Sequence, residues 1–187
     1  GDVYKRQLHG FASSSESNKA KLFRKTIVKQ KLNYQCITPD LPNNISEAFK
    51  LIENLIMDNK PRFIIGSSLG GFYSTYFAEK FNLKSILLNP AVLPADGMKM
   101  YLGENENFST GERFEFTNQD VQVLKKFESK IKHISLPENH FVFLESGDEV
   151  LNYLDAVNYY CGSSINVFFG GNHSLEMFED DMHQVIK

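Results

Sequence analysis

Phe63-Ile64-Ile65-Gly66-Ser67-Ser68-Leu69-Gly70-Gly71-Phe72 is the stretch whose reading decides the fold. An apolar run stops at Gly66, a serine follows two residues on, and another glycine comes two after that. The pattern is G-x-S-x-G, in which a strand turns sharply into a helix and leaves the middle serine's hydroxyl exposed at the strand's end. Glycines flank the serine because so tight a turn has no room for side chains. Ser68 is framed this way and Ser67 is not.

The flanks fit the motif. Arg62 to Ile65 reads as a short buried strand, with a turn at Lys60-Pro61 before it. Phe72, Tyr73, Tyr76 and Phe77 fall at i, i+1, i+4 and i+5, one apolar face of a helix running to about Phe81. A serine in a glycine-rich turn can also cradle a phosphate. A P-loop, however, needs a Lys-Ser or Lys-Thr after its glycines, and none follows here.

The 187 residues suffice for one domain with a sizeable core. A net charge of -3 with no basic stripe argues against nucleic acid as a partner. Cys36 and Cys161 have no metal-ligand spacing, so free thiols are expected rather than a disulfide or a metal site. No apolar run approaches the roughly 18 residues of a membrane helix. Nor does the N-terminus read as a secretory signal. The expectation is a soluble cytoplasmic protein without membrane contact.

Strand and helix patterns alternate along the chain. Leu8-His9-Gly10-Phe11 reads as the end of a central strand, yet Asp2, Lys5, Arg6 and Gln7 before it are too polar for a strand buried on both faces. Residues 1–7 are therefore expected to be a truncated or non-native segment, ahead of a single domain spanning 8–187. A helix is predicted over Ser17–Gln30 and a strand over Tyr34–Thr38. Asn44 with Glu47 then caps a helix burying Ile45, Ala48, Phe49, Ile52, Leu55 and Ile56. Ser85 to Leu88 is another strand, closed by Asn89-Pro90. Residues 91–118 show no clear period and read as an excursion covering the site, or equally as a surface loop packed by its own aromatics. Further on come a helix over Gln119–Lys130, a strand over His140–Leu144, and a helix marked by Val150, Tyr153, Leu154 and Val157. The last strand is Ile165–Phe169, and a closing helix carries Leu175, Phe178, Met182 and Val185. Such alternation predicts an α/β fold, a mostly parallel sheet with helices on both faces.

Ligands in open α/β sheets bind at the carboxyl ends of the strands. Four strand ends carry suggestive groups: His9-Gly10-Phe11, Ser68, Asp148 and His173. The order Ser, Asp, His is that of α/β-hydrolase triads. A serine hydroxyl is a weak nucleophile until a base takes its proton, and a carboxylate fixes the tautomer of that base. His173 follows a strand through two glycines and opens a helix; His133, His140 and His183 read as bystanders, and His9 as shaping its loop. Asp148 follows an apolar strand in a Gly-Asp turn, with Glu145 and Glu149 as neighbours that could substitute. An oxyanion would need two backbone N–H donors. Leu69, at the start of the helix, supplies one; the other falls to Phe11, with Ala12 as its rival.

These residues also resemble a family. Leu8-His9-Gly10-Phe11 with Ser13-Ser14 and Lys19-Ala20, Asp40-Leu41-Pro42, and Gly66 to Tyr73 are similar to the small YqiA-type esterases. So are Leu88-Asn89-Pro90-Ala91-Val92, Tyr101-Leu102-Gly103-Glu104-Asn105, Ser146-Gly147-Asp148-Glu149-Val150-Leu151, and Gly170-Gly171-Asn172-His173 leading to Phe178-Glu179. The resemblance runs from about Leu8 to the C-terminus. It implies a single-domain α/β-hydrolase fold with a minimal cap, a triad on Ser68, Asp148 and His173, and no cofactor. The expected activity is hydrolysis of small carboxylic esters with short acyl chains through an acyl-enzyme. A thioesterase or acyltransferase on the same triad, or a non-catalytic binding protein that keeps the fold, are the alternatives. The polar segment Gly1–Gln7 departs from the family's apolar first strand.

Overall fold

A computed structural model of the protein describes residues 3–8, 21, 25 and 34–176. Its strands are β1 (Val3–Leu8), β2 (Tyr34–Ile37), β3 (Phe63–Ser68), β4 (Lys84–Pro90), β5 (Gly103–Glu106), β6 (Arg113–Phe116), β7 (His140–Glu145) and β8 (Ser164–Phe168). Its helices are α1 (Ile45–Asn59), α2 (Leu69–Phe81), α3 (Asn118–Glu128) and α4 (Tyr153–Tyr159). Six strands form one sheet in the order β2-β1-β3-β4-β7-β8. Every neighbouring pair in it is parallel. The chain moves outward from β1 to β2, then returns to β1's other edge with β3 and continues away. That reversal is a topological switch point, and in open α/β sheets ligands bind outside the carboxyl ends of the strands at such a point. Ser68 ends β3, the strand at this point.

The polar segment before Leu8 nevertheless pairs as the backbone of β1, with Lys5 opposite Cys36 on one side and Phe63 on the other. Of the predicted helix over Ser17–Gln30 only Lys21 and Lys25 are described, both helical, and the closing helix beyond residue 176 lies outside the described residues.

In β3, Ile64 and Ile65 point to opposite faces and both are buried, as expected of a parallel strand covered on both sides. Helix α1 starts where the sequence signalled. Asn44 Oδ1 accepts from the Glu47 backbone N–H at 3.0 Å and satisfies one orphan donor of the first turn. Its apolar stripe buries Ile45, Ala48, Phe49, Ile52 and Ile56. Phe49 sits edge-on to Phe72, Tyr73 and Tyr76 of α2 and stacks on Phe127 at 3.6 Å between ring centroids. The elbow helix is thereby wedged between the sheet and α1.

Two elements differ from their sequence patterns. Residues 91–118 are not all loop: a 3₁₀ helix, Gly97–Tyr101, precedes an antiparallel hairpin of β5 and β6. Each strand has four residues, too few for a visible alternation, and of β6 only Phe116 is fully buried. The hairpin is tied to the α1 entry by Asn43 Nδ2 donating to Glu112 at 3.2 Å and Asn107 Nδ2 donating to Asn43 Oδ1 at 3.3 Å. Around α4, Val150 before the helix and Leu154 within it are exposed, whereas Ala156 and the C-cap Tyr160 are buried. The inner face is Tyr153, Ala156, Val157 and Tyr160, packed on Leu87, Val142 and Leu144. Of the residues that mark this helix in the sequence, Tyr153 and Val157 lie on the packed face and Val150 and Leu154 do not.

His140 is more than a bystander to the fold. At the amino ends of β4 and β7, its Nδ1 lies 2.7 Å from Ser85 Oγ and its Nε2 2.9 Å from Glu79 Oε1. Glu79 also accepts from the Ser135 and Leu136 N–H groups. Burial pushes the imidazole's pKa down more than Glu79 and Glu138 pull it up, while Lys84 pushes it down further. A histidine whose pKa is lower folded than unfolded gives stability that is present above its unfolded value and is lost as pH falls below it. The thermal midpoint should therefore fall between about pH 7 and pH 5, and His140→Gln should flatten that slope. A midpoint that stays level in the unsubstituted protein across this range would refute the assignment.

Candidate active site

The strand-to-helix turn at Ser68 has a left-handed backbone, φ 55° and ψ −123°. For a residue with a Cβ this is a strained conformation, of the kind concentrated at functional sites. Ser68 caps α2 in position but makes no capping bond with its side chain. It is half-buried beside a buried Ser67. Close packing explains the glycines. A Cβ on Gly66 would lie 2.0 Å from the Gly70 carbonyl oxygen, and one on Gly71 would lie 2.6 Å from Pro90 Cβ. Gly71 was not part of the motif; it is small because β4 ends against it. Leu69 is the first residue of α2, so its N–H belongs to the unpaired, electropositive end of the helix.

Asp148 and His173 come from the loops after β7 and β8, and the sheet brings those loops together. The Ser146 N–H donates to the Phe168 carbonyl at 2.9 Å, and the Gly147 N–H donates to the Gly170 carbonyl at 2.8 Å. A Cβ on Gly147 would lie 2.4 Å from the Gly171 carbonyl oxygen, so only glycine permits this approach. The result is a bond of 2.7 Å between His173 Nδ1 and Asp148 Oδ2. The other carboxylate oxygen, Oδ1, accepts from the N–H groups of Val150 and Leu151, both at 2.8 Å. The Asp148 side chain is 2% exposed and that of His173 is 21% exposed. Burial raises the Asp148 pKa, but the His173 bond and the two N–H groups outweigh it, and the carboxyl lies below the usual aspartate range. An ionised carboxylate at Nδ1 holds the ring proton there and leaves the basic lone pair on Nε2.

Glu149, weighed as a substitute acid, grips the histidine's backbone instead, accepting from the His173 N–H at 3.0 Å. Glu145 accepts from the Asn172 N–H at 2.7 Å. Phe11, Ala12 and His9 lie outside the described residues. Among the described residues no group of three or more His, Cys, Asp or Glu side chains is arranged to hold a metal ion. Cys36 and Cys161 form no disulfide. A cleft of about 330 Å³ between the loop after β2 and the β5–β6 hairpin is lined by Asp40, Pro42, Glu47, Asn107 and Glu112. It contains none of Ser68, Asp148 or His173.

A parallel sheet with this order and a sharp strand-to-helix turn at the switch point belong to the α/β-hydrolase fold. The same class emerges from solved structures. Est1E from Butyrivibrio proteoclasticus, bound to ferulic acid, superposes with a TM-score of 0.76 at 13% identity, covering 99% of this chain and 86% of its own. The esterase domain of a Rhodothermus marinus protein does so with a TM-score of 0.69 at 16% identity, over 98% of this chain and 85% of that one. The chain belongs to uncharacterised protein family UPF0227, the YqiA family, whose sequence model matches residues 5–187. A UPF0227 protein of Shewanella woodyi is 29% identical over 141 residues, 73% of this chain and 75% of the relative. No helix among the described residues is long and apolar enough to cross a membrane.

Proposed function

We propose that this protein is a serine esterase that hydrolyses small carboxylic esters. The observation that carries the reading is the 2.7 Å bond between His173 Nδ1 and a buried Asp148 carboxylate, at the sheet end where Ser68 sits on a strained elbow. Such a pairing has no need to form in a mere binding protein. In the proposed reaction Ser68 Oγ attacks the acyl carbon while His173 Nε2 takes its proton, and the Leu69 and Phe11 N–H groups receive the oxyanion. The imidazolium then protonates the departing alcohol, leaving an acyl-serine. Water, deprotonated by the same imidazole, attacks the acyl carbon and releases the acid and the serine. Esterases of the same fold, among them the Rhodothermus marinus domain, support the reaction class.

Incubation with a fluorophosphonate followed by peptide mapping tests this directly. One adduct on Ser68, absent in His173→Ala, is the expected result; no adduct on demonstrably folded protein would sink the reading. We also propose a preference for short acyl chains, because between β4 and α3 the described residues insert only a 3₁₀ helix, Gly97–Tyr101, and one hairpin. On a panel of p-nitrophenyl esters from acetate to laurate the rate should fall with chain length. A steady rise would count against it.

A further inference from the structure

Asn89 is the penultimate residue of β4, the strand next to the nucleophile, in a sequence Leu88-Asn89-Pro90 for which the proposed chemistry has no use. It is 2% exposed and has a left-handed backbone with φ 41°. Its amide spends every polar atom on the site's framework. Oδ1 accepts from the Glu145 N–H at 2.9 Å, which fastens the end of β7. Nδ2 donates to the Asn172 carbonyl at 3.2 Å and approaches the His173 carbonyl at 3.5 Å. Two residues on, the Ala91 N–H donates to the Ser68 carbonyl at 2.9 Å. The β3–β4 register shifts at this point, bringing Ser68 opposite Pro90.

Glu145 closes the clamp from the other side. It is fully buried, and its Oε2 accepts from the Asn172 N–H. Gly171, at φ 70°, lies so close that a Cβ there would be 1.7 Å from that oxygen. The backbone of the histidine loop is therefore gripped at its carbonyls by Asn89 and at an N–H by Glu145. Asp148 separately holds the ring.

We propose that Asn89, together with Glu145, is a positioning residue: it ties the backbone of the His173 loop to the strand end beside Ser68 and so sets the separation of serine and imidazole. This rests on the reading of Ser68 and His173 as the reacting pair. The residue type follows from the geometry. Asparagine tolerates a left-handed backbone and offers donors and an acceptor on one short side chain. Aspartate has the shape and the acceptor but no donor, and it would set a charge against two carbonyls.

The test compares Asn89→Asp and Asn89→Gly with Asn139→Ala. Glycine accepts the positive φ but removes the amide. Asn139 is a buried asparagine at the opposite end of the sheet, bonded to Asn82 Oδ1 at 2.7 Å, and its variant reports the effect of structural damage alone. Each is assayed on p-nitrophenyl acetate and for fluorophosphonate labelling, at a temperature where circular dichroism shows it folded. Both Asn89 variants should lose kcat by on the order of 10²-fold with KM little changed, the signature of misplaced reacting groups. Asn139→Ala should lower the thermal midpoint and leave kcat in place. A variant that does not fold is replaced by Glu145→Met, which keeps the length but removes the carboxylate that accepts from the Asn172 N–H, read in the same way. Wild-type kcat and labelling in the Asn89 variants, with turnover abolished in Ser68→Ala, would overturn the clamp alone. Persistent turnover in Ser68→Ala would overturn the reading of the site, and the clamp with it.

Discussion

Ser68→Ala should hydrolyse a short-chain ester on the order of 10⁴ to 10⁶ times more slowly than the unsubstituted protein. That range corresponds to about 5–8 kcal/mol of transition-state stabilisation. The size follows from the proposed covalent route: without Oγ that route forms no acyl-enzyme, and only orientation and oxyanion binding are left to help water attack directly. His173→Ala should lose about as much, because serine and base act as one unit, and the double variant should be scarcely worse than either single one. Asp148→Asn is the more discriminating change. It keeps the shape but can donate where the carboxylate accepted, so the ring proton moves and Nε2 no longer holds the lone pair. A loss of about 10⁴ in kcat is expected. Steady-state kinetics on p-nitrophenyl acetate, with mass spectrometry to exclude contaminating wild type, decides the matter. Retention of a tenth of the activity by Ser68→Ala would remove the serine mechanism.

Gly66→Ala should be among the most destabilising single substitutions in the chain, although it adds one methyl group. The added Cβ would fall 2.0 Å from the Gly70 oxygen, 2.4 Å from the Gly70 carbonyl carbon and 2.3 Å from Ser74 Oγ. Two of these are backbone atoms of the first turn of α2 and cannot swing aside, and Ser74 is itself fully buried. Relief requires α2 to lift from β3. That would also pull Phe72, Tyr73 and Tyr76 from around Phe49. Overpacking against movable side chains costs about 1–3 kcal/mol. Against rigid backbone a loss above about 4 kcal/mol is expected, a large share of a typical domain's stability. Gly97→Ala serves as the contrast, since nothing lies within 4 Å of the added carbon. It should fall within about 0.5 kcal/mol of the parent. Urea unfolding of the two variants checks both statements, and a Gly66→Ala protein within 1 kcal/mol of the parent, about a fivefold shift in the folding equilibrium, would contradict the packing account.

Much of this protein is decided by short-range chemistry and is legible in the chain. The elbow can be read because strand, tight turn and helix are contiguous, and the chain order of Ser68, Asp148 and His173 can be read because each follows its own strand. The start of α1 can be read because a cap is a bond between residues three apart, Asn44 and Glu47. What the chain could not reveal lies between segments. The β5–β6 hairpin has too few residues for a period, and its place is set by bonds to Asn43 some 64 and 69 positions away. The division of labour among three acidic neighbours was equally hidden. Asp148 reaches the ring, Glu149 the His173 N–H and Glu145 the Asn172 N–H. Their spacing in sequence is compatible with several such assignments, and only the register of β7 against β8 selects one. Asn89 is the plainest case. In sequence it is a polar residue before a proline, whereas in space its one amide joins the ends of two strands to the histidine loop. The physical reason is that a hydrogen bond across the sheet depends on where two distant backbones lie, and that is decided by packing rather than by neighbours in the chain.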